Sequence, residues 1–183
     1  MTTLFDIAQN WLNQDPDAET HAELTALLTA AKNGDEKAQS ELQARFSGRL
    51  QFGTAGLRGP LQAGPMGMNR VLVAQAAGGL ADYLKDYDKQ PSIVIGYDGR
   101  KNSDDTAEIM AGAGVKAYLL PRKLPTPVLA YAIQYFDTTA GVMVTASHNP
   151  PEDNGYKVYL GKANGGGQIV SPADKDIAAL IDK

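Results

Sequence analysis

Residues 140–157 read Ala140-Gly141-Val142-Met143-Val144-Thr145-Ala146-Ser147-His148-Asn149-Pro150-Pro151-Glu152-Asp153-Asn154-Gly155-Tyr156-Lys157. The first five are small or apolar, and the run is too short for a helix. They predict a buried strand. Thr145 to Pro151 predicts a loop whose two prolines stiffen the backbone. Asn154-Gly155 is a turn signal, and Tyr156 to Leu160 predicts a returning strand that carries Lys157. A serine therefore leaves a buried strand, a histidine follows it, and a lysine comes back beside it. That arrangement presents a hydroxyl on a rigid loop next to a cation. A nucleophile or phosphoryl carrier needs such rigidity, because a misplacement of about 1 Å can cost roughly 100-fold in rate.

Strand and helix signals alternate on either side of this stretch. Ser92 to Tyr97 predicts a buried strand that ends in Asp98-Gly99-Arg100. Ser103 is expected to cap the helix that follows, through Ile109 and Met110. Val115 to Leu120 predicts another strand. Thr126-Pro127 reads as an N-cap with proline at the first helical position. Further upstream, Arg49 to Phe52 predicts a short strand leading into Gly53-Thr54-Ala55-Gly56-Leu57-Arg58-Gly59. A long helix is expected after Asn69, and its Gly78-Gly79 pair predicts close packing against a neighbour. Downstream, Gly165-Gly166-Gly167 predicts a turn and Gln168 to Val170 a short extended piece. Ser171-Pro172 predicts the start of a last helix, with Asp174 at the capping-box position.

The alternation predicts an α/β domain, with helices on both faces of a mixed, mostly parallel sheet. Ligands gather at the carboxyl ends of strands in such sheets. Three polar loops follow strands here: Asp98-Gly99-Arg100, Pro125-Thr126-Pro127 and the Ser147 loop. Residues 1–48 differ in texture. Leu4, Ile7, Ala8, Trp11 and Leu12, then Leu24, Leu27 and Leu28, then Ala38, Leu42 and Phe46 recur at helical spacing. They predict an N-terminal helical appendage to a domain at 49–183. Trp11 is expected to be a packing residue and His21 a surface one.

Composition narrows the function classes. The 183 residues are 43% hydrophobic and 21% charged, with a net charge of −4, as expected of a folded soluble protein. Neither nucleic acid nor a membrane surface is an expected partner, because no basic footprint is present. The absence of cysteine excludes disulfides and cysteine-based zinc sites. The first residues carry no signal-peptide pattern, and a cytoplasmic location is expected. Gly53-Thr54-Ala55-Gly56 is not followed by the Gly-Lys-Ser/Thr of a P-loop. No G-x-G-x-x-G fingerprint opens a strand-to-helix turn either, so a nucleotide site is not expected. A phosphoserine at 147 would carry about −1.5 to −2 charges. Lys157, His148, Arg58 and Arg100 are the local supply of positive charge.

Thr145-Ala146-Ser147-His148-Asn149-Pro150-Pro151, followed by Asn154-Gly155-Tyr156-Lys157, resembles the active-site loop of the α-D-phosphohexomutases, the phosphoglucomutase and phosphomannomutase family. Gly53 to Gly59 resembles that family's N-terminal signature loop. Asp98-Gly99-Arg100 and Pro125-Thr126-Pro127-Val128 match in the same order. The helical appendage resembles the branch that includes phosphoglucomutase-like and phosphopentomutase enzymes. The resemblance implies that Ser147 carries the phosphoryl group and, through its phosphate, is one ligand of Mg²⁺. It implies that His148 and Lys157 line the site, with Lys157 as a general acid or base. Lysine is ordinarily an ammonium at neutral pH, which suits the acid; a base would need burial or a cation such as Arg58 nearby. Arg58 would orient the reacting sugar oxygen, and Arg100 would support the loop.

The implied reaction interconverts a sugar 1-phosphate and a sugar 6-phosphate through a sugar bisphosphate, which also serves as activator. Glucose is the first expectation and mannose the second. A phosphopentomutase, or a truncated phosphosugar-binding module, is the alternative. The family's later domains supply an Asp-Gly-Asp-x-Asp-Arg metal loop, the sugar-reading loop and the phosphate grip. No such aspartate loop occurs in these residues. The chain is therefore expected to be the first domain of a longer enzyme, inactive alone, with the remaining domains as its partners.

Overall fold

The computed structural model describes residues 3–54 and 56–182. Three helices come first: α1 (Leu4–Leu12), α2 (Ala18–Lys32) and α3 (Glu36–Arg45). Each begins at a side-chain cap. The Thr3 hydroxyl accepts from the Asp6 amide while the Asp6 carboxylate accepts from the Thr3 amide. Asp17 and Asp35 cap the other two. Such caps satisfy amides that have no partner within the helix. The helices bury Ala8, Leu12, Leu24, Leu28, Ala31, Ala38 and Leu42 in a core that Ala63, further along the chain, completes. Trp11 stands edge-on to Phe46 at 6.2 Å between centroids, in the packing role its spacing predicts. His21 is exposed.

The remaining elements are β1 (Leu57–Pro60), α4 (Arg70–Tyr87), β2 (Ser92–Tyr97), α5 (Ser103–Ala111), β3 (Lys116–Leu119), α6 (Thr126–Tyr135), β4 (Ala140–Val144), β5 (Asp153–Leu160), β6 (Gly167–Gln168) and α7 (Ala173–Ile181). They build one sheet in the order β1-β5-β4-β2-β3, with β6 paired to β5. Alternate residues of the strands enter different cores, as the period of two requires. Ile93, Ile95, Val142, Val144, Tyr156 and Val158 join residues of α4, α5 and α7 on one face. Val94, Met143 and Tyr159 join Leu129, Ala132 and Ile133 of α6 on the other. Helices on both faces of a mixed sheet are thus present.

The sheet is mixed and its strands run mostly one way, as expected: β1, β2, β3, β4 and β6 share a direction and β5 alone opposes them. The β2–β3 and β2–β4 pairings are parallel, whereas β1–β5, β4–β5 and β5–β6 are antiparallel. No helix separates β4 from β5, so β5 returns through the Ser147 loop and must run the other way.

Several local expectations shift. Arg49 to Phe52 is not a strand. Arg49 instead reaches Gln75 and the Ile181 carbonyl, and the Leu50 amide bonds to Pro65 at 2.9 Å. Ser103 does not cap α5. Asn102, at φ 61°, holds that place without a side-chain bond, and the Ser103 hydroxyl donates to Asp98 at 2.9 Å. Asn154-Gly155 is not a turn but lies inside β5. Its amide finds partners on Lys101 and Ser103 that make a straight strand cheaper than a turn. β3 is shorter than Val115–Leu120. Thr126 opens α6 behind Pro125 rather than capping it. Asp174 makes no capping bond at the start of α7. Gly79 does mark close packing: a Cβ there would lie 2.6 Å from Ile181 Cγ1, whereas Gly78 faces open space.

Asn69 starts α4 and closes the loop before it. Its Oδ1 accepts from the Leu72 amide, while its Nδ2 donates to the carbonyls of Gln62, Gly64 and Gly67 at 2.8–3.1 Å. Polar contacts tie α2 and its cap to the sheet domain. Glu23 accepts from the Ala63 amide, Arg70 meets Asp17, and Lys101 meets Glu19 at 2.7 Å.

Candidate functional site

The loops after β2 and β4 lie side by side at the carboxyl ends of the parallel strands. The Asp98 amide donates to Val144 at 3.1 Å, and the Leu124 amide donates to Tyr97 at 3.1 Å. All three polar loops singled out in the sequence thus share the edge where ligands collect in such sheets.

Ser147 sits at the exposed tip of the middle loop with φ 54°. A non-glycine residue in the left-handed region persists only where its surroundings over-determine it. Three contacts do so. The Ser147 amide donates to Thr145 Oγ1 at 2.9 Å. Its carbonyl accepts from Arg100 Nη2 at 2.8 Å. Its hydroxyl oxygen accepts from Lys157 Nζ at 3.0 Å. Lys157 comes from β5, where Met143 is its cross-strand partner, so a rigid ladder delivers the ammonium to the loop.

Arg100 is the clamp of this loop. Nη1 donates to the carbonyls of Pro150 and Asp153, and Nη2 to those of Ser147 and Asn149, at 2.7–3.0 Å. One guanidinium therefore collects four carbonyls from a seven-residue span. Asp98 anchors it: Oδ1 accepts from the Arg100 amide, and Oδ2 lies 3.7 Å from Nε. Behind Asp98 the buried hydroxyl of Ser103 donates forward to it and accepts from the buried Asn154 amide.

Arg58 reaches the same loop from β1. Its Nη1 donates to Asn149 Oδ1 at 3.0 Å. The expected signature loop before it is a tight bend, with Gly53 and Gly56 bonded to each other through amide and carbonyl at 2.8 and 3.0 Å. Ala55 lies outside the described residues. Gly56, at φ 81°, brings β1 so near β5 that a Cβ would meet the Tyr156 carbonyl at 2.0 Å. His148 is exposed at the loop tip next to Ser147. The structure therefore gathers Ser147, Lys157, Arg58 and Arg100 around one loop, with His148 on its rim. Asp98, Thr145 and Asn154 belong to motifs visible in the sequence. Ser103 and Asp153 carry no local signal of their part in the site.

Tyr156 neighbours Lys157 but faces the opposite side of β5. Burial pushes its hydroxyl pKa well above the ordinary tyrosine value. The Lys101 ammonium, beside Arg100, is held charged by its bond to Glu19, which raises its pKa.

The donors for a metal are not gathered here. Among the described residues no group of three or more His, Cys, Asp or Glu side chains could hold an ion. The nearby carboxylates of Asp98 and Asp153 are engaged by Arg100, Ser103 and Asn149. No described helix is long and apolar enough to cross a membrane.

Comparison with known proteins places this geometry. The family model described as phosphoglucomutase/phosphomannomutase, alpha/beta/alpha domain I, matches residues 49–183. A probable phosphomannomutase of Haemophilus influenzae is 93% identical over 122 residues, covering 64% of this chain and 25% of the relative. Human glucose 1,6-bisphosphate synthase is 40% identical over 187 residues, covering 94% of this chain and 28% of the relative. A solved structure from Thermus thermophilus, assigned as a phosphomannomutase, aligns with TM-score 0.64 at 32% identity. That alignment covers 73% of this chain and 30% of the other. The chain spans between a quarter and a third of the length of these relatives. It belongs to the phosphoglucomutase/phosphomannomutase family, whose domain I its residues 49–183 form.

Proposed function

We propose that this chain is the phosphoryl-carrying first domain of a phosphosugar mutase, with residues 1–48 as an appendage and Ser147 as the carrier. The observation that carries the reading is the Lys157 ammonium 3.0 Å from the Ser147 hydroxyl oxygen, on a loop held by Arg100. In the first half-reaction the Oγ–P bond of phosphoserine breaks as a sugar hydroxyl oxygen bonds to phosphorus. Lys157 gives a proton to the departing Ser147 oxygen, and the sugar hydroxyl proton passes to a base. The resulting sugar bisphosphate turns over and returns its other phosphoryl group to Ser147: the sugar O–P bond breaks, the freed sugar oxygen takes the proton back from that base, and Lys157 takes the serine proton back. Arg58 and Arg100 supply fixed positive charge, and such positioning and neutralisation is most of what phosphoryl transfer asks of a protein.

Mg²⁺, as the family implies, would neutralise charge on the transferring group. From this chain it would take only the Ser147 phosphate, with its other ligands from another domain. The substrate is a hexose phosphate, glucose first and mannose second. The 93% identity to a probable phosphomannomutase supports a hexose. A pentose phosphate is the second reading, since a yeast phosphoribomutase is 42% identical over 94% of this chain. The chain alone is expected to turn over little or no substrate.

The direct test is phosphopeptide mapping of the protein incubated with glucose 1,6-bisphosphate and Mg²⁺ in its full-length form. One phosphoryl group on Ser147 is the expected result, and phosphate confined to other residues overturns the carrier role. The clamp gives a second expectation. Arg100→Leu removes donors from four carbonyls and frees the Ser147 backbone. Phosphoryl transfer should slow by about 100-fold, as for a displacement near 1 Å. Stopped-flow transfer rates within twofold of the parent would show that the clamp is dispensable.

A further inference from the structure

Arg58 is held at the Ser147 loop by a single hydrogen bond among the described residues, to Asn149 Oδ1 at 3.0 Å. The other end of that carboxamide, Nδ2, donates to Asp153 Oδ2 at 2.8 Å. A guanidinium only donates and an ionised carboxylate only accepts, whereas a carboxamide has one face of each kind. Asn149 thus stands between a pure donor and a pure acceptor, and only one of its two orientations satisfies both. Its backbone has no freedom to compensate. The Asn149 amide donates to Ala146 at 3.0 Å, and the carbonyls of Asn149 and Asp153 both accept from Arg100.

We propose that Asp153 is a positioning residue, which orients the Asn149 carboxamide and through it sets the Arg58 guanidinium beside the Ser147 loop. The consequence for catalysis rests on the carrier reading of Ser147; the relay itself rests on the geometry alone. Without an acceptor at 153 the carboxamide can rotate and turn its NH₂ toward the guanidinium. Arg58 then loses its anchor and swings between positions, and its remaining N–H groups no longer face one point. Arg58 comes from β1 and Asp153 from the first position of β5, so the relay spans the β1–β5 edge of the sheet.

The test reads Arg58 directly, by the side-chain ¹⁵N–¹H guanidinium signals of the 183-residue chain. In the parent, slow rotation should resolve the Arg58 Nη signals. Asp153→Leu keeps the size and removes the acceptor, and rotation should speed up by about tenfold, the loss of one bond to a charged group. Asp153→Asn keeps an acceptor oxygen for Asn149 Nδ2 and should leave the signals parent-like. Asn149→Leu removes the link itself and should speed rotation as Asp153→Leu does. If Asp153→Leu does not fold, the comparison of Asp153→Ala with Asp153→Asn still decides.

Parent-like signals in Asp153→Leu or Asp153→Ala, or equally fast rotation in Asp153→Asn, would falsify the relay. Phosphopeptide mapping keeps the two ideas apart. The expected guanidinium pattern without phosphate on Ser147 overturns the carrier and leaves the relay standing. Phosphate on Ser147 without that pattern overturns the relay alone.

Discussion

Replacing Ser147 by alanine is expected to abolish mutase turnover, by at least about 10⁴-fold, as for removal of other catalytic nucleophiles, while barely changing stability. No second hydroxyl stands in its place. Thr145 Oγ1 is occupied by the Ser147 amide and lies in a buried residue. The stability side follows from exposure. Ser147 Oγ has one partner, Lys157 Nζ, and a hydrogen bond of this kind contributes about 1 kcal/mol or less net. The left-handed backbone is as strained with alanine as with serine, so that cost cancels. For a chain of this size 1 kcal/mol is roughly 2–4 °C in melting temperature. Turnover and melting measured on the same full-length sample therefore separate a carrier from a structural serine. Turnover within tenfold of the parent would eliminate the carrier role. A collapse in melting temperature would mean that the loop, and not the hydroxyl, had been lost.

Gly155→Ala should be strongly damaging to the β1–β5 edge beside the site. β1 lies so close to β5 that a Cβ at 155 would stand 2.3 Å from the Leu57 carbonyl and 3.0 Å from Arg58 Cα. Both are backbone atoms, so no rotamer change relieves the overlap. The strands must separate instead. Overpacking of this kind costs about 3 kcal/mol, or roughly 10 °C in melting temperature at the scaling above. The damage is directional as well, since Arg58 pairs with Gly155 in the register and would be carried away from Asn149. A thermal melt measures the first effect and the Arg58 guanidinium signals the second. A melting temperature unchanged by Gly155→Ala would mean that β1 is not packed on β5 as described.

Much of the architecture was legible because its signals are local. Ser92–Tyr97 and Ala140–Val144 are apolar runs of strand length, and both became strands within a residue of expectation. The helix after Asn69 starts where an asparagine can cap it. The Ser147 loop was legible as a rigid, serine-bearing turn because its prolines and its return strand lie within a few residues. Asn154-Gly155 misled because the dipeptide signals a turn only where nothing else claims its amide. Here Lys101 and Ser103, some fifty residues away in the chain, do so. Arg49 to Phe52 misled for a similar reason, since Arg49 is drawn to Gln75 and Ile181 rather than to a strand.

The sequence by itself determined that an α/β layer carries a serine on a stiff loop with a lysine behind it, because short-range patterning and backbone stiffness decide those features. Tertiary structure alone decided the four carbonyls gathered by Arg100 and the line from Asp153 through Asn149 to Arg58. Arg58 and Asn149 stand 91 residues apart, and a side chain's hydrogen-bond partner at that separation is chosen by sheet order and register, which no local pattern encodes.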